Sequence, residues 1–339
     1  MIIQFILLFI FVFFLTIQRI AQKKNSTKFI LFIICVYSIL FVGFRDGEKV
    51  WDYSVYQDMY DNNDILVEPT FLAIRYFCKE ILNSNIILLM FIYALLAIST
   101  KFIAIYKYST SIFLSLLIWF GNLFFIQDFT QIRAAVSISI FLLSIDSLYK
   151  HKKEFFLYCF IALLFHTSSL LMIPLWFLSS KTIKVKKWIF FVGITYGLAL
   201  FKIDLISLFS MIPIDRVQER FISYRMARVS PANVFSILQI GKIILWGILL
   251  FKSSVLEHKN KYAILLIKIL GISIISLPLF AIDDAIATRV KEFYSSVEIL
   301  LFPMLIYIIK PVYTAKCIIY FYAFISIFWR LIVQKLIIY

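Results

Sequence analysis

Glycine and proline are scarce, with 8 and 7 among 339 residues, too few for the tight turns of a many-stranded β fold. Charged residues make up only 16%, and acids are outnumbered by bases, 19 to 34. There are three histidines and four cysteines. Cys35, Cys78, Cys159 and Cys317 stand singly in apolar stretches with no C-x-x-C spacing, which excludes a zinc-ribbon or disulfide framework. The acid pairs Asp61/Asp64 and Asp283/Asp284 have no histidine near them, so neither a metal nor another cofactor is expected.

What is present is apolar: 63% of the chain, with 37 Phe and 19 Tyr. In water such a composition would leave large exposed patches, so lipid is the solvent to expect. Apolar runs recur at 2–17, 29–44, 85–100, 111–126, 134–148, 155–178, 188–202, 233–251, 262–282, 293–309 and 312–329. Helices satisfy their own backbone in hydrocarbon, so the chain reads as all-α: one polytopic membrane domain over 1–339 with about 10–11 spans. The run at 2–17 lacks a basic residue ahead of it and a small-residue cleavage site behind it, and is expected to be a retained anchor.

The net charge of +15 lies largely in lysines between the runs. Positive-inside topology accounts for it without nucleic acid. Arg19, Lys23, Lys24, Lys28, Lys101, Lys107, Lys150, Lys152, Lys153, Lys181, Lys184, Lys186, Lys187, Lys252, Lys259 and Lys261 then mark the cytoplasmic side. The exterior gaps become 45–84, 127–133, 203–232 and 283–292. The run at 155–178 has lysine clusters at both ends. Its 24 residues fit a re-entrant hairpin of two half-helices turning near His166, Thr167, Ser168 and Ser169, or one ordinary span.

The exterior gaps hold 15 of the 19 acids and 8 of the 10 arginines, but 3 of the 24 lysines. Topology explains the missing lysines and leaves the gathered arginines over. A guanidinium is a planar, permanently charged fork suited to phosphate, so an exterior phosphorylated ligand is one reading. Pairing of Arg with acid at the bilayer surface is the other. The segment 44–71 interleaves Arg45, Asp46, Glu48, Asp52, Asp58, Asp61, Asp64 and Glu68 with Trp51, Tyr53, Tyr56 and Tyr60. Aromatic rings beside carboxylates suit sugar binding, and equally an interfacial belt. His166 alone among the histidines lies inside an apolar run, as a proton acceptor or as a side chain bonded to a nearby carbonyl. Arg133 and Arg289 each precede an apolar stretch, where a helix N-terminus adds to the attraction for phosphate.

Five pieces in order are similar to the EpsG/Wzy family of bacterial membrane polysaccharide polymerases. They are Arg45 with Gly47, Asp52, Tyr53 and Tyr56; Glu68; QIRAAVSISIFLLS at 131–144; LLFHTSSLLMIPL at 163–175; and ATRVKEFYSSVEILLFP at 287–303. The interval between Arg45 and Asp52-Tyr53 is longer than is usual there. The resemblance implies a glycosyltransferase in the bacterial cytoplasmic (inner) membrane. It would move a growing glycan from undecaprenyl diphosphate onto an incoming lipid-linked repeat unit, making O-antigen, capsule or exopolysaccharide. Its partners would be the undecaprenyl-diphosphate-linked donor and acceptor, membrane lipids and a chain-length regulator. Arg45, Arg133 and Arg289 would bind diphosphate, Asp52, Tyr53 and Tyr56 sugar, and His166 or Glu68 would be the base. Arg216, Arg220, Tyr224 and Arg225 would form an acceptor loop. Two other classes fit the composition: a flippase for the same lipid, which should show inverted repeats, and a membrane O-acyltransferase, which would draw acyl-CoA from inside.

Overall fold

The computed structural model describes residues 2–17, 24–50, 52–65, 67–201 and 231–334. The expected acceptor-loop residues Arg216, Arg220, Tyr224 and Arg225 lie outside them. Among the described residues the regular structure is helical, as the apolar runs require. Four helices among the described residues are long and apolar enough to cross a membrane: Ser26–Gly43, Ile86–Tyr108, Ile112–Thr130 and Val312–Val333. Shorter apolar helices include Ile2–Ile17, Ile132–Leu143, Glu154–Phe165, Thr167–Phe177, Ile237–Phe251 and Ala263–Leu279. Phe14, Phe29, Phe32, Phe160 and Phe177 are exposed on these helices. Such a surface fits lipid and not water.

The helices that matter below are α1 (Ile2–Ile17), α2 (Lys24–Gly43), α3 (Tyr53–Asp61), α4 (Pro69–Tyr76) and α5 (Ile86–Tyr108). Next come α6 (Ile112–Ile118), α7 (Ile132–Leu143), α8 (Ile145–Tyr149) and α9 (Glu154–Phe165). The chain forms two compact units, Met1–Phe177 with Glu298–Tyr339, and Leu178–Val297.

In the first unit α5 packs on α2 and α7, and α7 on α9. From α6 the helix continues through Trp119–Thr130 in wider π geometry, and every residue of that stretch is buried. Phe5 of α1 meets Phe125 at 4.3 Å and Phe124 at 5.3 Å, so aromatic rings fill the core beside α1. Gly121 marks a close backbone approach. A Cβ there would sit 2.7 Å from the Ala323 carbonyl oxygen, so only glycine admits that backbone. Gln127, Asp128 and Thr130, expected in an exterior gap, are buried within the bundle.

The pairing of Lys101 corrects a second reading. Lys101 and Asp128 were expected in gaps on opposite sides of the membrane, yet Lys101 is fully buried inside α5, its Nζ 2.7 and 2.6 Å from the two oxygens of Asp128. The Trp119 indole N–H donates to the same carboxylate at 2.7 Å. A charge buried in a helix bundle persists only when paired and hydrogen-bonded in this way.

The run at 155–178 is broken at its expected place. α9 ends at Phe165, His166 is extended (φ −161°, ψ 136°), and a 3-10 helix, Thr167–Phe177, follows. Trp176 lies 4.7 Å from Phe156 and 5.9 Å from Phe155, so the second half folds back along the first.

In the second unit α10 (Val185–Leu200), α11 (Ile237–Phe251) and α13 (Asp284–Ser295) each pack on α12 (Ala263–Leu279). Gly271 of α12 accepts the Trp188 ring, and the Trp246 N–H donates to the Ile267 carbonyl at 2.8 Å.

Candidate functional site

Glu68 precedes Pro69, and a residue before proline is pushed out of the helical region. Its backbone is extended (φ −65°, ψ 152°), and α4 starts with Pro69 in the first turn, where its missing N–H costs nothing. The Glu68 carboxylate makes no capping bond to α4 and is turned to two other partners. One oxygen lies 2.8 Å from His166 Nδ1. The other accepts from Arg133 Nη1 in a charge-assisted pair. Arg133 is the second residue of α7 and His166 is the break after α9, so three elements converge on one carboxylate.

A second bond holds the same register. Thr70, two residues beyond Glu68, donates its hydroxyl to the Leu164 carbonyl at 2.7 Å, two residues before His166. That carbonyl belongs to the last turn of α9, which has no partner within its own helix. Arg75, further along α4, donates to the Met59 and Asn62 carbonyls at 2.8 and 3.0 Å and ties α4 to the end of α3. Nothing in the sequence singled out Thr70 or Arg75, because a bond to a distant backbone carbonyl leaves no local pattern.

A carboxylate only accepts hydrogen bonds, so His166 carries its proton on Nδ1 and leaves Nε2 as the free basic nitrogen. Among the described residues Nε2 has no partner, and the side chain is 20% exposed. Burial raises the proton affinity of Glu68, but the bond to His166 and the charge of Arg133 outweigh it and hold the carboxyl down to about 2. A group so weakly basic is poorly placed to take a proton near neutral pH. The two residues that the sequence left as alternatives are thus hydrogen-bonded to each other.

Arg133 lies over the Tyr56 ring at 5.6 Å and over Phe71 at 5.8 Å. Tyr56 is 5% exposed, so its ring serves the guanidinium. Burial raises its phenol above the usual range, against the opposing charges of Arg133 and Arg45. Arg45, just past α2, donates to the Val42 carbonyl and to Met90 Sδ, both at 2.8 Å, and its guanidinium lies 5.7 Å from the Phe129 ring. Burial lowers Arg45 to about 10 against the pull of Tyr56, Tyr53 and Asp52, which leaves it cationic at neutral pH. The Nε atoms of both Arg45 and Arg133 are buried and meet no acceptor among the described residues. Tyr56 thus feels the charge of two guanidinium groups.

Asp52 stands at the N-cap of α3 and acts electrostatically on Arg45. Tyr53 is partly exposed, and its ring covers Gly47, where a Cβ would lie 2.3 Å from Tyr53 Cε1. Arg289 is in the second unit and exposed. It does not open an apolar helix: α13 starts at Asp284, is amphipathic, and is capped by Asp283, whose carboxylate accepts from the Ile286 N–H at 3.0 Å. Among the described residues no three His, Cys, Asp or Glu side chains come together as a metal site.

The sequence model of the EpsG family matches residues 28–338, which takes in every site residue named above. No curated protein and no solved structure matches the chain.

Proposed function

The chain belongs to the EpsG family, which suggests a polysaccharide polymerase, and from that membership we propose that it joins undecaprenyl-diphosphate-linked repeat units on the outer face of the bacterial cytoplasmic membrane. The observation that carries this reading is the hydrogen bond between His166 Nδ1 and Glu68, beside the unspent donors of Arg45 and Arg133.

In this reading the acceptor sugar presents a hydroxyl to His166 Nε2. The hydroxyl oxygen bonds to the anomeric carbon of the donor glycan as its proton passes to Nε2. The bond from that carbon to the diphosphate breaks, and its electron pair leaves with the lipid diphosphate. Glu68 keeps the imidazole in the tautomer that accepts at Nε2 and stabilises the imidazolium that forms. Arg45 and Arg133 face the charge that grows on the departing diphosphate, the stage at which electrostatic help accelerates the step. Tyr53 and Asp52 at the outer edge contact sugar.

The test in cells is direct. Membranes without the protein should accumulate lipid-linked single repeat units and no long chains, and reintroducing the chain should restore length. Absence of lipid-linked units from the outer face in the deletion would instead indicate a flippase.

A further inference from the structure

α9 stops at the residue that bears the imidazole, and the end of a helix is where carbonyls lack partners and the backbone frays. Here two side-chain hydroxyls hold that end from outside. Thr70 donates to the Leu164 carbonyl at 2.7 Å. Ser137 donates to the Ala162 carbonyl at 3.2 Å, the same oxygen that accepts the His166 backbone N–H at 3.0 Å. Thr70 lies two residues past Glu68 in the first turn of α4. Ser137 lies four residues past Arg133, one turn along the same face of α7. The elements that carry Glu68 and Arg133 therefore each send a hydroxyl to the last turn before His166, and both pack on α9.

We propose that Thr70 and Ser137 are positioning residues, whose bonds fix the end of α9 so that His166 meets Glu68 through Nδ1 and keeps Nε2 for the acceptor hydroxyl. The assignment rests on the polymerase reading above and adds to it the residues that set the geometry of the base. Both bonds go to backbone carbonyls, so they act on the imidazole only through the chain that carries it. A hydrogen bond of 2.8 Å survives displacements of a few tenths of an ångström, and a fraying turn moves by more. Ser137 is fully buried, so no water competes for its bond. The Tyr93 ring, also fully buried, closes the junction from α5, 6.1 Å from Phe71 and 6.3 Å from Phe165. Ser139 provides the contrast: equally buried on α7, it donates to the Ala135 carbonyl of its own helix at 2.7 Å.

The test uses the purified full chain in detergent with isotopic nitrogen in its three histidines, the His166 signals being those lost in His166→Gln. At mildly alkaline pH, where an imidazole is neutral, the nitrogen shifts report which ring atom carries the proton. The wild type should hold it on Nδ1. Thr70→Val and Ser137→Ala each remove one hydroxyl. In each, His166 should become a mixture of both tautomers, and kcat on lipid-linked repeat units should fall about tenfold to a hundredfold with KM for the acceptor unchanged. Thr70→Ser keeps the hydroxyl and should recover the single tautomer and most of the rate. Ser139→Ala should match the wild type in every readout. His166 still protonated on Nδ1 alone in either hydroxyl variant, or a loss of rate in Ser139→Ala equal to that in Ser137→Ala, overturns the assignment. Should Thr70→Val fail to fold, Ser137→Ala against Ser139→Ala decides. A wild type that makes no polymer while the variants still mix the tautomers counts against the polymerase reading and leaves the positioning assignment standing.

Discussion

His166 Nδ1 and Glu68 Oε1 lie 2.8 Å apart, although 98 residues separate them in the chain. The contact makes the two side chains one device, and its parts respond differently to substitution. His166→Gln keeps size and hydrogen bonding but removes the basic nitrogen, and turnover should fall about a hundredfold to ten-thousandfold. Glu68→Gln should be nearly as harmful for another reason. The amide N–H of Gln can donate to Nδ1, which moves the imidazole proton to Nε2 and blocks the accepting position. Steady-state rates with purified protein and lipid-linked repeat units check both. Normal turnover in His166→Gln would leave Glu68 as the base.

Arg45 and Arg133 should not tolerate lysine. Each uses the planar fork, Arg45 between the Val42 carbonyl, Met90 and the Phe129 ring, and Arg133 between Glu68 and Tyr56. A lysine keeps the charge and loses the second donor and the stacking. Arg45→Lys is expected to lower kcat about a hundredfold, with KM for the acceptor little changed. Arg133→Lys should do the same and also loosen Glu68. Measurement of kcat and KM at matched expression separates the two effects.

The carboxyl of Glu68 gives a pH signature. Its folded value of about 2 is below the ordinary 4.5, so its pairing stabilises the fold fully above the ordinary value and is lost as pH falls toward 2. Thermal unfolding in detergent between pH 6 and pH 3 should show a decline that Glu68→Gln flattens. Equal acid sensitivity in the variant would mean that other carboxylates set the decline.

The buried pair of Lys101 and Asp128 predicts a compensated double variant. Removing either partner leaves a charge with no solvent, and Lys101→Met or Asp128→Leu alone should cost about 3–5 kcal/mol. The two together should recover most of that loss. Midpoints of thermal unfolding for the two single variants and the double variant check this, and a double variant as unstable as the worse single would contradict it.

Much of this was legible in the sequence because polar residues stand out against lipid-soluble ones. The helical class follows from the apolar runs, and the break at His166 from lysines at both ends of a run too long for one half-helix and polar at its middle. Arg45 and Glu68 were visible in the densest polar segment of an exterior gap, Arg133 at the mouth of an apolar run and His166 inside one. Their arrangement was not. Spacing along a helix is readable, but contacts across 98 or 65 residues are set by packing, so Glu68 and His166 stood as rival bases when they are bonded to each other. Lys101 and Asp128 went to opposite sides of the membrane for a related reason: a gap between apolar runs records composition, and a buried pair within a helix lowers local hydropathy just as a surface loop does. Arg289 was read as opening an apolar helix because the apolar stretch follows it, whereas Asp283 caps the helix upstream.

The most direct measurement gives purified protein in nanodiscs only undecaprenyl-diphosphate-linked single repeat units and follows glycan length and released undecaprenyl diphosphate together. The account predicts long chains, with one lipid diphosphate released per new linkage and both signals lost in His166→Gln. Single units left intact by a folded wild-type chain, or chain growth undiminished in His166→Gln, would contradict it.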